Sequence, residues 1–344
     1  MKIALYKPFE LRWASETEKH LFHGYEIEFL RKYVDCIYFS EMENVECCKE
    51  YLSTLKIKKE IQFIDNIEEL NRICDIVVVN FVHNYEDYEL KDYTGKVVIH
   101  TLDYLDYSNK RNILFEKIGV DLLLGHAMLD ERSELYRIAY PEYIGKLLQV
   151  PFGYAKRFKN IKKWEERDRR AVGLGAMYKM TLHKSSPKAI NEILSSFEWD
   201  HELRHYLKEH ADEYDDCIDC QFPEEEMHDF SYDAVEKLNS YQMFINDPGY
   251  LNFPPARTYE GIACGCVMVA EENEIWSDLG FVADENYIAF EKNNYEQMRE
   301  KITYYMENQE ELKRLQLASL KLAENYSHER VADDLYLKMC DRLV

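Results

Sequence analysis

The chain has 344 residues, 46% of them hydrophobic, with only 12 Gly and 8 Pro; that is enough for two α/β domains with separate cores and too apolar for a disordered chain. A formal net charge of −22 argues against DNA, RNA or an anionic membrane as the main partner, because phosphate contacts need a positive surface, yet it permits a local basic pocket for a small diphosphate. The opening MKIALYKPFELRW has no signal-peptide core, no run of about 18 apolar residues could span a bilayer, and nine scattered cysteines read as reduced thiols, so a cytoplasmic location is expected.

In chain order, Ile3–Tyr6 reads as a first strand. Ser15-Glu16-Thr17-Glu18 reads as a capping box opening a helix with Leu21, Phe22, Tyr25, Phe29 and Leu30 at helical spacing. Strands follow at Cys36–Phe39, Asp75–Asn80, Lys96–His100, Asp121–Gly125 and Leu148–Val150. The middle three are near-continuous apolar runs, as strands buried on both faces of a parallel sheet must be. Helical segments separate most of them, which makes a βαβ series. Pro151-Phe152-Gly153 breaks the last strand, and the charged run 156–170 reads as an interdomain crossing. A second series opens with Ala171–Ala176 and a helix through Phe197 with Pro187 near its start. Residues 200–229 form an acidic stretch with Arg204 and Lys208. Then come a strand at Tyr241–Asn246, a short helix at Ala256–Cys264 ended by Gly265, a strand at Cys266–Ala270, and helices over Asn294–Met306, Asn308–Asn325 and Ser327–Leu343. Asn308 with Glu311 resembles a cap.

The segment Pro254–Glu272 carries the most chemistry. Arg257 and Glu260 sit three apart on one face of a helix's first turn. A helix N-terminus at the open end of a parallel sheet attracts anions. Arg257 can fork to a phosphate and Glu260 can accept two ribose hydroxyls; a surface Arg–Glu pair on a packing helix fits the same spacing. Small residues at Gly261, Ala263 and Gly265 let backbones approach closely.

The run Glu260-Gly-Ile-Ala-Cys-Gly-Cys-Val-Met-Val resembles the C-terminal domain of the two-domain GT-B glycosyltransferases, whose signature is a Glu, small residues, Cys-Gly and an apolar strand. Pro151-Phe-Gly-Tyr154 is similar to the turn leaving their first domain, and Asn286-Tyr-Ile-Ala-Phe290 to the run after their donor site. The similarity is loose over the whole chain and close over residues 241–325. It implies two Rossmann-like domains facing each other: an acceptor domain at 1–155, a linker at 156–170, a nucleotide-sugar domain at 171–325, and a helix over 326–344 returning to the first domain.

Many retaining members carry a second Glu eight residues before the ribose-binding one, where this chain has Asn252. The closer match is the Arg-x-x-Glu variant of the CgeB-like glycosyltransferases and the bacteriophage DNA β-glucosyltransferase. The phage resemblance implies Asp103 as general base of an inverting transfer, Glu16 as an acceptor-side contact, and His100 beside the base. It implies Arg257 and Glu260 on diphosphate and ribose. Where the phage enzyme has two Arg, this chain has Lys179, His183 and Lys184; Lys179 and Lys184 are donor-phosphate candidates as point charges. Gly175 and Tyr259 complete the expected donor-binding set.

Cys217-x-x-Cys220, with His201 and His205 nearby, supplies too few convergent ligands for zinc. Gly173-Leu-Gly175 is too short for a dinucleotide fingerprint, and no Gly-x-Ser-x-Gly elbow occurs. The expected reaction moves a sugar from a nucleoside-diphosphate sugar, with UDP the expected nucleotide, to a hydroxyl of a saccharide, glycolipid or protein. No cofactor or metal is expected, because basic groups and a helix dipole neutralise the leaving diphosphate. The rival readings are a phage-type DNA hydroxymethyl-base glucosyltransferase, a nucleotide-sugar epimerase, and a non-catalytic structural protein of the same fold.

Overall fold

The computed structural model describes residues 1–6, 24–38, 45–55, 57, 59–79, 89–101, 108–126, 132–182, 186–223, 232–252 and 254–343. The chain forms two compact units. The first comprises Met1–Val150, Leu182–Glu192 and Val331–Val344, and the second Pro151–Thr181 and Ile193–Arg330.

The first unit holds a parallel sheet of seven strands: β1 (Ile3–Tyr6), β2 (Val34–Tyr38), β3 (Gln62–Ile64), β4 (Ile76–Val79), β5 (Lys96–His100), β6 (Val120–Gly125) and β7 (Leu147–Gln149). Their order is β3-β2-β1-β4-β5-β6-β7, so the chain winds outward from β1 in one direction, then returns to β4 and winds in the other. Register is set at the centre by Ile3↔Ile76 and Val77↔Val97. The apolar runs are buried as two-sided strands require: every residue of β1 and β4 is buried. Strand β3 escapes a reading by pattern because it is three residues long, on an edge, with Gln62 exposed. The Gly24–Tyr33 helix buries Tyr25, Phe29 and Leu30. Val331, Ala332, Leu335 and Met339 of the His328–Leu343 helix share this core with Leu30 and Ile37. Full burial of such a side chain contributes about 1.5–3 kcal/mol. The capping box at 15–18 lies outside the described residues.

The second unit holds five parallel strands in the order β12-β11-β10-β8-β9: β8 (Asp168–Gly173), β9 (Ile218–Cys220), β10 (Tyr241–Ile245), β11 (Val267–Glu271) and β12 (Ile288–Phe290). Strand β8 starts at Asp168, three residues before the apolar run read from sequence, because Asp168 and Arg170 pair with each other at 2.8 Å and so tolerate the sheet's end. The charged run read as an interdomain crossing packs into this unit. Trp164 is buried in its core, and Arg167 is 4% exposed. Arg167 donates to Asn160 Oδ1 (2.7 Å), Asn239 Oδ1 (2.9 Å) and the carbonyl of Cys264 (2.8 Å). A charge run normally marks a solvated face; here buried carbonyls absorb the guanidinium. The acidic stretch also contains strand β9, whose alternation is hidden by its length. Asn308 makes no side-chain cap for the Gln309–Ala323 helix and donates instead to the Tyr304 carbonyl, correcting the sequence reading. Asn294 caps the Tyr295–Glu307 helix through the Gln297 amide.

Candidate functional site

Chain direction makes the site. From β8 the chain runs out to β9, then returns to β10 on the other side of β8. The crevice outside the carboxyl ends of β8 and β10 is therefore a switch point, where an open parallel sheet leaves room for a ligand. Three segments meet there: the residues after Gly173, the residues after Ile245, and the Ala256–Ala263 helix.

The helix is fixed to the strand ends by packing. Gly261 lies so close to β10 that an added Cβ would meet the Phe244 ring at 2.5 Å. Buried Asn246, just past β10, donates to Thr258 Oγ1 at 2.9 Å and ties the first turn down. This first turn has no acidic residue and no side-chain cap, so its amides keep their affinity for an anion.

Arg257 and Glu260 do meet, with Nε to Oε2 at 3.7 Å and side chains only 15% and 18% exposed. That distance is an ion-pair contact and too long for a hydrogen bond. Nε and Nη1 of Arg257 are buried and have no hydrogen-bond acceptor among the described residues. Burial pushes the Glu260 carboxyl above its ordinary range, against the pull of Arg257 and Arg157. Tyr232 sits in the field of Arg257, Glu260 and Arg204, its phenol pushed up by burial.

Arg204 is the cation that sequence reasoning missed. It belongs to the Glu202–Glu209 helix and is 5% exposed, donating through Nη1 to the Ala176 carbonyl at 2.8 Å. Burial lowers its pKa; Asp247 and Asp200 act to raise it, and the charge of Arg257 acts with burial. Gly175 makes room for it. At φ +141° this residue lies outside the range of ordinary side chains, and a Cβ would sit 2.7 Å from Arg204 Nη1. Asp247, just past β10, is 9% exposed; Oδ1 accepts the Gly249 amide at 2.7 Å, and Oδ2 lies 3.6 Å from His201 Nδ1. Burial pushes Asp247 up, but His201, Arg204 and that amide outweigh it and hold the carboxyl low. One signal for these residues was present: Asp247-Pro-Gly ends an apolar strand at the ligand-bearing side, and Arg204 is one of the few cations in an acidic stretch.

The remaining sequence candidates fall in different places. Tyr259 is 1% exposed and packs on Tyr326, so it supports the helix from within the core. Lys179 stands over the Trp199 ring at 5.4 Å. Glu16, Asp103 and Lys184 lie outside the described residues. His100, at the end of β5 in the first unit, is 3% exposed with Nε2 2.6 Å from the Tyr25 hydroxyl and its ring 4.9 Å from His126. A small, mostly apolar pocket of about 20 Å³, lined by Tyr25, Phe29, Val78 and Leu124 among others, opens over it. Cys217 is buried in the second core, and His205 stacks on Trp199.

Residues 181–336, which contain Arg204, Asp247, Arg257 and Glu260, match the family described as "Glycosyl transferase-like". Over 99% of its length the chain superposes on Anabaena HepE in complex with UDP-glucose (TM-score 0.55, 11% identity, all of that chain covered). It also superposes on a glycosyltransferase from Rickettsia africae (TM-score 0.54, 14% identity, 99% of this chain and 98% of that one). The chain has the GT-B fold. Sucrose-phosphate synthase from Thermosynechococcus elongatus shares the fold at TM-score 0.51 and 9% identity, each chain covered to 99%. A search of curated protein sequences finds no significant match. Among the described residues, no helix is long and apolar enough to cross a membrane.

Proposed function

We propose that the protein is a glycosyltransferase that uses a UDP-sugar as donor, with the diphosphate between Arg204 and Arg257 and the ribose hydroxyls on Glu260. One observation carries this reading: buried Arg204 and half-buried Arg257 share the switch point of the second sheet, and Arg257 Nε and Nη1 are buried without acceptors among the described residues. Burying unpaired donors costs stability, so a protein that keeps them has an anion to meet. UDP as the nucleotide is supported by the fold shared with HepE, which binds UDP and UDP-glucose.

Two arginines and a helix N-terminus supply the charge that stabilises a leaving diphosphate, and they act where water is excluded. On this reading no divalent cation is needed for transfer, and activity should survive EDTA. The acceptor is proposed to be a hydroxyl of a saccharide, glycolipid or protein; the net charge of −22 opposes a nucleic-acid acceptor. Asp103 is the proposed base, and Glu16 and His100 are proposed acceptor-side residues. Asp103→Asn should cut turnover by about 10²–10⁴ while UDP binding stays intact; equal losses of both would remove Asp103 from that role.

The test is a thermal-shift panel of UDP, GDP, ADP and CMP on the purified protein. At a hundred dissociation constants a ligand stabilises by about 2.7 kcal/mol. A shift with UDP alone supports the reading. A well-folded protein that answers to none of the four refutes it.

A further inference from the structure

A second feature of the same unit is a pocket of about 140 Å³ beyond the carboxyl ends of β10, β11 and β12. Asp247 lines it on one side and directly follows Asn246, which holds Thr258 in the helix that carries Arg257, so the pocket adjoins the proposed diphosphate site. Its walls are of two kinds. Trp199, Tyr250 and Tyr295 present aromatic surface, and Asp200, Asp247 and Glu271 present carboxylates.

Two polar atoms in these walls keep capacity for a ligand. Asp247 is 9% exposed, and Oδ2 lies 3.6 Å from His201 Nδ1, beyond hydrogen-bond length, with no hydrogen-bond partner among the described residues. The indole nitrogen of Trp199 is buried and likewise lacks an acceptor among them. The Trp199 ring itself is held flat, stacked on His205 with centroids 4.1 Å apart. Glu271 is held at one oxygen by the Asn293 amide at 2.9 Å. Charge is one-sided: the lining side chains include five carboxylates and one ammonium, Lys292.

Carboxylates accept but do not donate, and paired acceptors match the adjacent hydroxyls of a sugar ring. Aromatic faces pack on its C–H faces. A ligand carrying its own carboxylate would bring a sixth negative charge into the pocket, and like charges at close range are how a site rejects a near-isostere. We infer that this pocket holds the sugar of the donor, that Asp247 and Glu271 accept its hydroxyls, and that it selects neutral hexosyl donors over hexuronosyl donors. The inference rests on the UDP-sugar reading above and names the donor class for that site.

Titration calorimetry separates the two. UDP is measured first, then UDP-glucose, UDP-galactose and UDP-N-acetylglucosamine, then UDP-glucuronate and UDP-galacturonate. The best neutral donor is expected to bind at least about a hundredfold more tightly than either uronate. Glu271→Gln should weaken that donor about tenfold, leave UDP unchanged, and narrow the gap to the uronates. Unchanged UDP affinity also shows that the variant is folded. If UDP binds and the uronates bind as well as the neutral donors, the inference is overturned and the donor reading stands. If UDP itself fails to bind, the donor reading falls and the inference falls with it.

Discussion

Replacing Arg257 by Met separates a ligand-binding cation from a structural one. In the ligand-free protein, Nε and Nη1 are buried without acceptors among the described residues. Each such donor costs about 1–3 kcal/mol, so their removal returns about 2–6 kcal/mol. The same change strips Glu260 of a cation at 3.7 Å. At an effective dielectric of 20 that contact is worth about 4 kcal/mol. The two terms nearly cancel, so Arg257→Met should change stability by less than about 2 kcal/mol, whereas breaking a structural buried ion pair costs about 3–5 kcal/mol. The double variant Arg257→Met, Glu260→Gln leaves no unpaired charge and should gain about 1–4 kcal/mol, a rise of a few degrees in Tm. UDP binding should move far more. Loss of two charge-assisted hydrogen bonds, at about 1.5–3 kcal/mol each, weakens it by about 10²–10⁴. Urea denaturation and titration calorimetry read both quantities. A double variant that loses stability, or an Arg257→Met protein within threefold of wild-type UDP affinity, would refute the reasoning.

Further expectations follow from individual contacts. Burial lifts the Glu260 carboxyl above its ordinary 4.5, so its contribution to stability is complete below 4.5 and is lost as pH rises through the elevated native value. Glu260→Gln should therefore gain Tm relative to wild type between pH 4.5 and pH 8 and lose about tenfold or more in UDP affinity; parallel melting profiles across that window would contradict the assignment. Gly175→Ala places a Cβ 2.7 Å from Arg204 Nη1 at φ +141°. It should cost about 1–3 kcal/mol and displace the guanidinium, visible as a lower Tm together with weaker UDP binding. Arg167→Met removes the donor that the Cys264 carbonyl and Asn160 Oδ1 accept, and leaves Asn239 Oδ1 with the amides of Ile161 and Lys162. Urea denaturation should register a loss of about 3–5 kcal/mol, and a loss below 1 kcal/mol would show that water or neighbours replace the guanidinium.

The sequence by itself determined the class of fold and the pairing of Arg257 with Glu260. Two-sided burial leaves continuous apolar runs, so β4, β5 and β6 are legible in Ile76–Val79, Lys96–His100 and Val120–Gly125. Arg257 and Glu260 are legible because helical geometry fixes a pair three residues apart on one face whatever the rest of the chain does. Short strands are not legible: β3 and β9, at three residues each, are too brief to show a period and exist because a neighbour offers them a ladder. The tertiary structure alone decided which charges go inside. Arg167 and Arg204 look like ordinary surface cations in charged stretches, and become buried only where carbonyls or carboxylates from distant segments converge on them. Asp247 is 43 residues from Arg204 in sequence, and only the return of the chain from β9 to β10 brings them together. Local pattern encodes what a segment prefers; the sign and spacing of charges across a crevice depend on strand order, which no segment carries.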